Sequence, residues 1–103
     1  CSSCKKLKII GNTKYVKFEY LKNKQNCDQL IVQCGLKKGT EVILQWYKDN
    51  QNMGVSFMEY KGQSNIRKTI NCNKNGEYEL EENGIKTLIT AIECIVAFSH
   101  EEL

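Results

Sequence analysis

The residues with the most evident chemistry in this 103-residue chain are its six cysteines, Cys1, Cys4, Cys27, Cys34, Cys72 and Cys94. Three chemistries use thiols in such numbers. A structural zinc takes four ligands in close pairs. Cys1-Ser2-Ser3-Cys4 has the spacing of one such pair, but Cys27 and Cys34 are seven apart, Cys72 and Cys94 stand alone, and the single histidine, His100, is three residues from the end. A thioredoxin-type redox pair has the same two-residue gap, but it sits where a strand runs into a helix, whereas Cys1 opens this sequence. Disulfides remain. An even number of dispersed cysteines is what oxidised staples require and what a reducing compartment does not maintain. We therefore expect disulfides, no metal, no cofactor and an extracellular setting.

Other catalytic constellations are hard to assemble. A serine or cysteine nucleophile needs a base that is buried and oriented, and His100 lies too near the terminus for that. Paired carboxylates work across a cleft, while Glu77, Glu79, Glu81 and Glu82 crowd one hairpin in the manner of a solvated face. No Gly-x-Gly occurs, so there is no glycine-rich phosphate loop. Asn73, Asn75, Glu77 and Glu79 offer oxygens to calcium without the spacing of a calcium loop, and no Asn-x-Ser/Thr sequon is present. The expectation is a protein that is not an enzyme. Tyr47, Tyr60 and Tyr78 are candidate exposed aromatics for a binding face.

Charge is unevenly spread. Residues 1–48 carry ten lysines against Glu19, Asp28 and Glu41, whereas residues 49–103 carry five basic groups against nine acidic ones, for a net +3. Lys5, Lys6, Lys8, Lys14, Lys17, Lys22, Lys24, Lys37 and Lys38 form a candidate basic surface. Such a stripe attracts sulfated glycan, anionic lipid or nucleic acid, and lysines of this kind equally serve as the solvent faces of strands and turns. Given the extracellular expectation, the partner expected is a protein or an anionic glycan, not nucleic acid. The longest apolar stretch, 91–98, is interrupted by Glu93 and falls far short of the ~20 residues that span a bilayer. Length suits one domain over 1–103, with neither leader nor initiator Met ahead of Cys1, as in a mature protein or an excised piece.

The elements that must position these groups read as strands. Apolar residues alternate at period two: Val16, Phe18 and Tyr20; Leu30, Val32 and Cys34; Val42, Leu44 and Trp46; Val55 and Phe57; Ile66, Ile70 and Cys72, with Lys68 interrupting; Tyr78 and Leu80; then Leu88, Ile92, Cys94, Val96 and Phe98 as one long final strand. Turn chemistry separates them at Lys38-Gly39, Asn52-Met53-Gly54, Lys61-Gly62, Asn75-Gly76 and Asn83-Gly84. Asn-Gly favours two-residue hairpins because both residues tolerate positive φ, so 66–98 reads as a three-stranded meander. Only Lys22 to Gln29 suits a short helical turn. Seven or eight short strands imply an all-β, disulfide-stapled antiparallel β-sandwich. Its expected core is Phe18, Val32, Leu44, Trp46, Phe57, Ile70, Leu80, Ile92 and Val96.

The cysteine order, Cys-x2-Cys, a long gap, Cys-x6-Cys, then two single cysteines, resembles the nematode six-cysteine extracellular domain family. Asn26-Cys27-Asp28-Gln29-Leu30-Ile31-Val32-Gln33-Cys34 resembles its central pair. Asn71-Cys72-Asn73-Lys74-Asn75-Gly76-Glu77-Tyr78 resembles its fifth-cysteine hairpin, and Ile89-Thr90-Ala91-Ile92-Glu93-Cys94 its closing strand. The resemblance implies a secreted or surface protein. It also implies the pair Cys1–Cys27, because copies without the first cysteine tend to lack the third. With that pair in place, extended geometry over 28–34 keeps Cys4 from reaching Cys34. Cys4 then joins Cys72 or Cys94, and Cys34 takes the other. A second likeness is to immunoglobulin domains: Cys34 is followed by Trp46 and, sixty residues on, by Cys94, although Ile92 stands where a tyrosine corner needs Tyr. The functional expectation is an extracellular interaction or adhesion module; the alternative is a secreted effector or toxin-like protein acting on another organism's receptor or membrane.

Overall fold

The alternating segments pair into two stacked sheets. The structure, a computed structural model, describes residues 3–36, 40–58 and 65–99. Among these lie nine strands: β1 (Lys8–Ile10), β2 (Val16–Lys22), β3 (Asp28–Cys34), β4 (Thr40–Lys48), β5 (Gln51–Phe57), β6 (Ile66–Cys72), β7 (Tyr78–Glu82), β8 (Ile85–Ile89) and β9 (Ala91–Ser99). One sheet has the order β1-β9-β4-β5 and the other β2-β3-β6-β7-β8. Every pairing is antiparallel except β1 with β9, which is parallel, Lys8 lying opposite Ala91. This all-β sandwich is the fold class the alternation implied. The short parallel β1 has too few residues for a period to show.

Strand register decides which side chains meet in the middle. Leu30, Val32 and Cys34 of β3, Leu44 and Trp46 of β4, Ile66 and Ile70 of β6 and Ile92 of β9 are all at most 1 % exposed. Each such side chain contributes roughly 1.5–3 kcal/mol by leaving water. Phe18 and Val96 pack against this core from partly buried positions. Cys34 and Cys94 join across the layers with their Cα atoms 5.5 Å apart, one on each sheet. The Trp46 indole N–H donates to the Ser56 hydroxyl at 2.8 Å, and that hydroxyl reaches the Glu82 carboxylate at 2.9 Å. Glu82 in turn holds Lys68 at 3.0 Å. The lysine that interrupts the inward face of β6 is thus paired where the sandwich opens toward its edge.

Four sequence expectations are corrected. Phe57 is not in the core but 61 % exposed. Met53 is an extra residue in β5, because Trp46 pairs with Gly54 and Tyr47 with Asn52, and beyond this bulge Ser56, opposite Leu44, is the residue that turns inward. Asn52-Met53-Gly54 is therefore that bulge rather than a turn. The turn lies at Asp49-Asn50, where Asp49 adopts φ +56. The segment 22–29 is not helical: it closes the β2–β3 hairpin. The long final strand is two strands in different sheets, since the chain crosses at Thr90. Inward residues are odd-numbered in β8 (Ile89, opposite Tyr78) and even-numbered in β9 (Ile92, opposite Trp46), so Leu88 faces away from the core. The expected turns at Lys38-Gly39 and Lys61-Gly62, and the Phe98 side chain, lie outside the described residues.

Candidate functional site

One end of the sandwich gathers most of the polar detail. There β2 hands over to β3, β6 to β7 and β4 to β5, and the N-terminal segment crosses on its way to β1. Two of these turns are built alike. Asn23 accepts the amides of Gln25 and Cys27 through its side-chain oxygen, at 2.9 and 3.0 Å. Asn73 accepts those of Asn75 and Glu77, at 2.9 and 3.0 Å. In both, the backbone of the same Asn receives an amide three residues on and donates to a carbonyl four residues on. The third residue after the Asn carries positive φ: Asn26 at +65 and Gly76 at +79. Asn tolerates that conformation because its short polar side chain bonds locally, and Gly because it has no Cβ. Since β3 and β6 are neighbours with Gln29 opposite Asn71, the two turns sit side by side. Each presents an exposed lysine, Lys24 and Lys74.

The N-terminal segment is strapped across this end. Cys4 is bonded to Cys72 at the end of β6, with Cα atoms 5.8 Å apart. This resolves the pairing left open above: Cys4 with Cys72 and Cys34 with Cys94. Cys27 is itself in a disulfide, and its expected partner, Cys1, lies outside the described residues. The Cys4 amide donates to Asp28 at 2.9 Å, and Lys22 binds the same carboxylate. The Lys22 contact and the Cys4 amide together hold the Asp28 carboxyl below its usual range. The Leu7 amide donates to the Tyr20 hydroxyl at 3.2 Å while the Lys6 ammonium lies 4.7 Å from the Tyr20 ring centre, an ordinary cation–π distance. Thr90 secures the far side. Its carbonyl accepts the Lys8 amide at 3.1 Å, its own amide donates to Tyr47 at 2.8 Å and its hydroxyl oxygen accepts the Asp49 amide at 2.6 Å.

Between this strap and the β8–β9 crossover runs a groove of about 880 Å³. Leu7, Ile10, Leu88, Ile89 and Ala91 supply its apolar surface, and Lys5, Lys6 and Lys8 also line it, the Lys6 ammonium resting over Tyr20; Asp49 and Glu77 are its two acidic residues, of which Asp49 lies 3.7 Å from Lys48. Tyr78 lines the groove yet is only 3 % exposed, which corrects the expectation of an exposed aromatic. Burial, with the negative charge of Asp28 and then Tyr20 as lesser causes, pushes its phenol up to about 12. Tyr47 is half-buried on the outer face of the four-stranded sheet, where its hydroxyl donates to Gln45 at 2.7 Å and lies 3.3 Å from Glu93. Burial, and then the Glu93 contact, raise its phenol above the usual value. Tyr60 is outside the described residues.

The sequence-defined basic stripe is therefore split. Lys5, Lys6, Lys8, Lys22 and Lys24 are at this end, with Lys22 engaged by Asp28. Lys14 and Lys17 are not brought to it: they flank the start of β2 at the opposite end, Lys14 lying over Tyr15 at 5.3 Å. Lys37 and Lys38 lie outside the described residues. Two lysines from further along the sequence, Lys48 and Lys74, reach the basic end because strand pairing carries them there. Among the described residues no group of three or more His, Cys, Asp or Glu is placed to hold a metal ion, and no helix is long and apolar enough to cross a membrane. Comparison with protein-family models, with curated proteins and with solved structures gave no match.

Proposed function

We propose that this domain is a non-enzymatic extracellular interaction module that engages an anionic protein or glycan through its basic end. The observation that carries the reading is the convergence of Lys5, Lys6 and Lys8 on one groove, beside the lysine-bearing turns at 23–27 and 73–77. The extracellular setting is supported by the disulfides, which a reducing compartment does not sustain in a small domain. The likeness to the nematode six-cysteine family belongs to the same proposal and is supported by cysteine order and the local sequence around Cys27, Cys72 and Cys94. The test is retention on heparin as a model polyanion across a salt series. Retention beyond physiological ionic strength is expected, with elution at clearly lower salt when Lys5, Lys6 and Lys8 are all changed to Gln, because each lost ammonium weakens a screened attraction. A Lys14→Gln, Lys17→Gln variant is expected to change little. Equal shifts from the two variants, or no retention at low salt, would overturn the assignment to this end.

A further inference from the structure

Of the asparagines in the chain, only Asn75 and Asn83 are followed by glycine. Asparagine is thermolabile because the backbone nitrogen of the next residue can attack its side-chain carboxamide. Glycine leaves that nitrogen unshielded, having no Cβ. The attack also needs a carboxamide open to solvent and a nitrogen whose hydrogen no acceptor holds. Both asparagines are exposed, so the first need is met at each. The two glycine nitrogens differ.

At Asn75 the nucleophile is occupied. The Gly76 amide donates to the Asn73 carbonyl at 3.1 Å. The Asn73 side-chain oxygen holds the amides on either side of it, Asn75 at 2.9 Å and Glu77 at 3.0 Å. An attack there must first open this turn. At Asn83 nothing comparable intervenes. Glu82 pairs directly with Ile85, so Asn83 and Gly84 are the two central residues of a tight hairpin, with φ of +53 and +78. Such a hairpin bonds its flanking residues and leaves the second central amide unpaired. Among the described residues no hydrogen bond engages the Gly84 amide or the Asn83 carboxamide. The surroundings are open as well: a Cβ on Gly84 would meet no atom beyond its chain neighbours within 4 Å.

We propose that Asn83 is a site of spontaneous deamidation in the folded protein, and that the turn built by Asn73 protects Asn75 from the same reaction. The Gly84 nitrogen loses its proton and bonds to the side-chain carbonyl carbon of Asn83, and ammonia leaves, closing a succinimide. Water then opens the ring. Breaking the bond to the side-chain carbonyl gives Asp, and breaking the original main-chain bond gives isoAsp, with one more methylene in the backbone. In either product the new carboxylate stands beside Glu81 and Glu82, away from the basic groove that Asn75 lines. The isoAsp form also lengthens the main chain next to Glu82, whose carboxylate holds Ser56 and Lys68. This chemistry is independent of anion binding.

The test incubates the oxidised protein at mildly alkaline pH over weeks. Samples are then mapped by peptide mass spectrometry with electron-transfer fragmentation, which reads both positions and separates isoAsp from Asp. Conversion at Asn83 is expected to run at least about fivefold faster than at Asn75, the factor that keeping one hydrogen bond closed imposes. In the reduced and unfolded chain the two positions are expected to convert at similar rates. Asn73→Ala is expected to bring Asn75 toward the Asn83 rate and to leave Asn83 unchanged, thermal unfolding verifying that this variant is folded. Equal rates at the two positions in the folded protein overturn the proposal. So does an Asn83 that stays intact in the fold while it converts in the unfolded chain, or an Asn75 rate untouched by Asn73→Ala.

Discussion

The centre of the sandwich and its basic end are held by bridges of nearly equal reach, Cys34–Cys94 spanning 60 residues and Cys4–Cys72 spanning 68. Loop-closure entropy alone would assign both about 4 kcal/mol. Their surroundings differ. Cys34 and Cys94 sit among fully buried side chains of both sheets, so that bridge constrains a region already dense in apolar contact. Cys4 anchors a strap in which Leu7 is buried while Ser3, Lys5, Lys6 and Lys8 are exposed, held besides by the amide contacts of Cys4 and Leu7, the Lys6 contact with Tyr20 and the short pairing of β1 with β9. The difference teaches that a disulfide's effect depends on what else can let go. The expectation is that the centre opens only with the whole fold, whereas the strap opens locally.

The largest expected effect breaks that comparison directly. Replacing Cys34 and Cys94 together by Ala is expected to cost about 4 kcal/mol or more, read as a large drop in the urea midpoint. Replacing Cys4 and Cys72 by Ala is expected to cost less, because local detachment of the strap limits the loss. Amide exchange at Leu7 and Lys8 should then become fast while Leu30 and Leu44 stay protected. Equal losses with equal exchange patterns would remove the distinction.

A second test sharpens the view of the end as a closed structure. Because the Tyr78 phenol is held up to about 12 in the fold against an ordinary value of 10, the unfolded chain ionises first as pH rises. The neutral phenol therefore favours the folded state fully below pH 10, and that advantage is lost progressively between 10 and 12. The loss amounts to up to about 2 kcal/mol and should be absent in Tyr78→Phe, compared by chemical denaturation over that range.

The smallest effect compares the twin turns. Asn23→Ala and Asn73→Ala each leave two amides without their side-chain acceptor, and each is expected to cost about 1 kcal/mol in denaturant unfolding. A cost confined to one of them would show that the shared geometry does not carry shared energetics.

These twin turns also show what the sequence made legible. Asn75-Gly76 was readable because glycine announces positive φ, and Asn83-Gly84 likewise, with φ of +53 and +78. Asn26 takes the same conformation without a glycine to mark it, so 22–29 resembled a helical turn. Alternation located six of the strands and most of the core. It failed at Phe57, because one extra residue at Met53 inverts every side chain after it. It also failed at Leu88, because a chain that changes sheets keeps its parity while the meaning of inward reverses. The groove was invisible for another reason. Its lysines are close together in sequence, but its walls come from the crossover and from turns that only long-range pairing assembles, and Lys74 joins them from the acidic half of the chain.

The two described bridges also interlock along the chain, Cys34 falling inside the span of Cys4–Cys72 and Cys94 outside it. A protease that severs the backbone anywhere between Cys34 and Cys72, after Lys48, Arg67 or Lys68 for instance, leaves two fragments tethered at both points. Such a nicked molecule keeps its mass apart from one added water under nonreducing conditions, and both sheets keep their staples. Survival of a cut, rather than avoidance of one, is what this order of sulfur bonds provides.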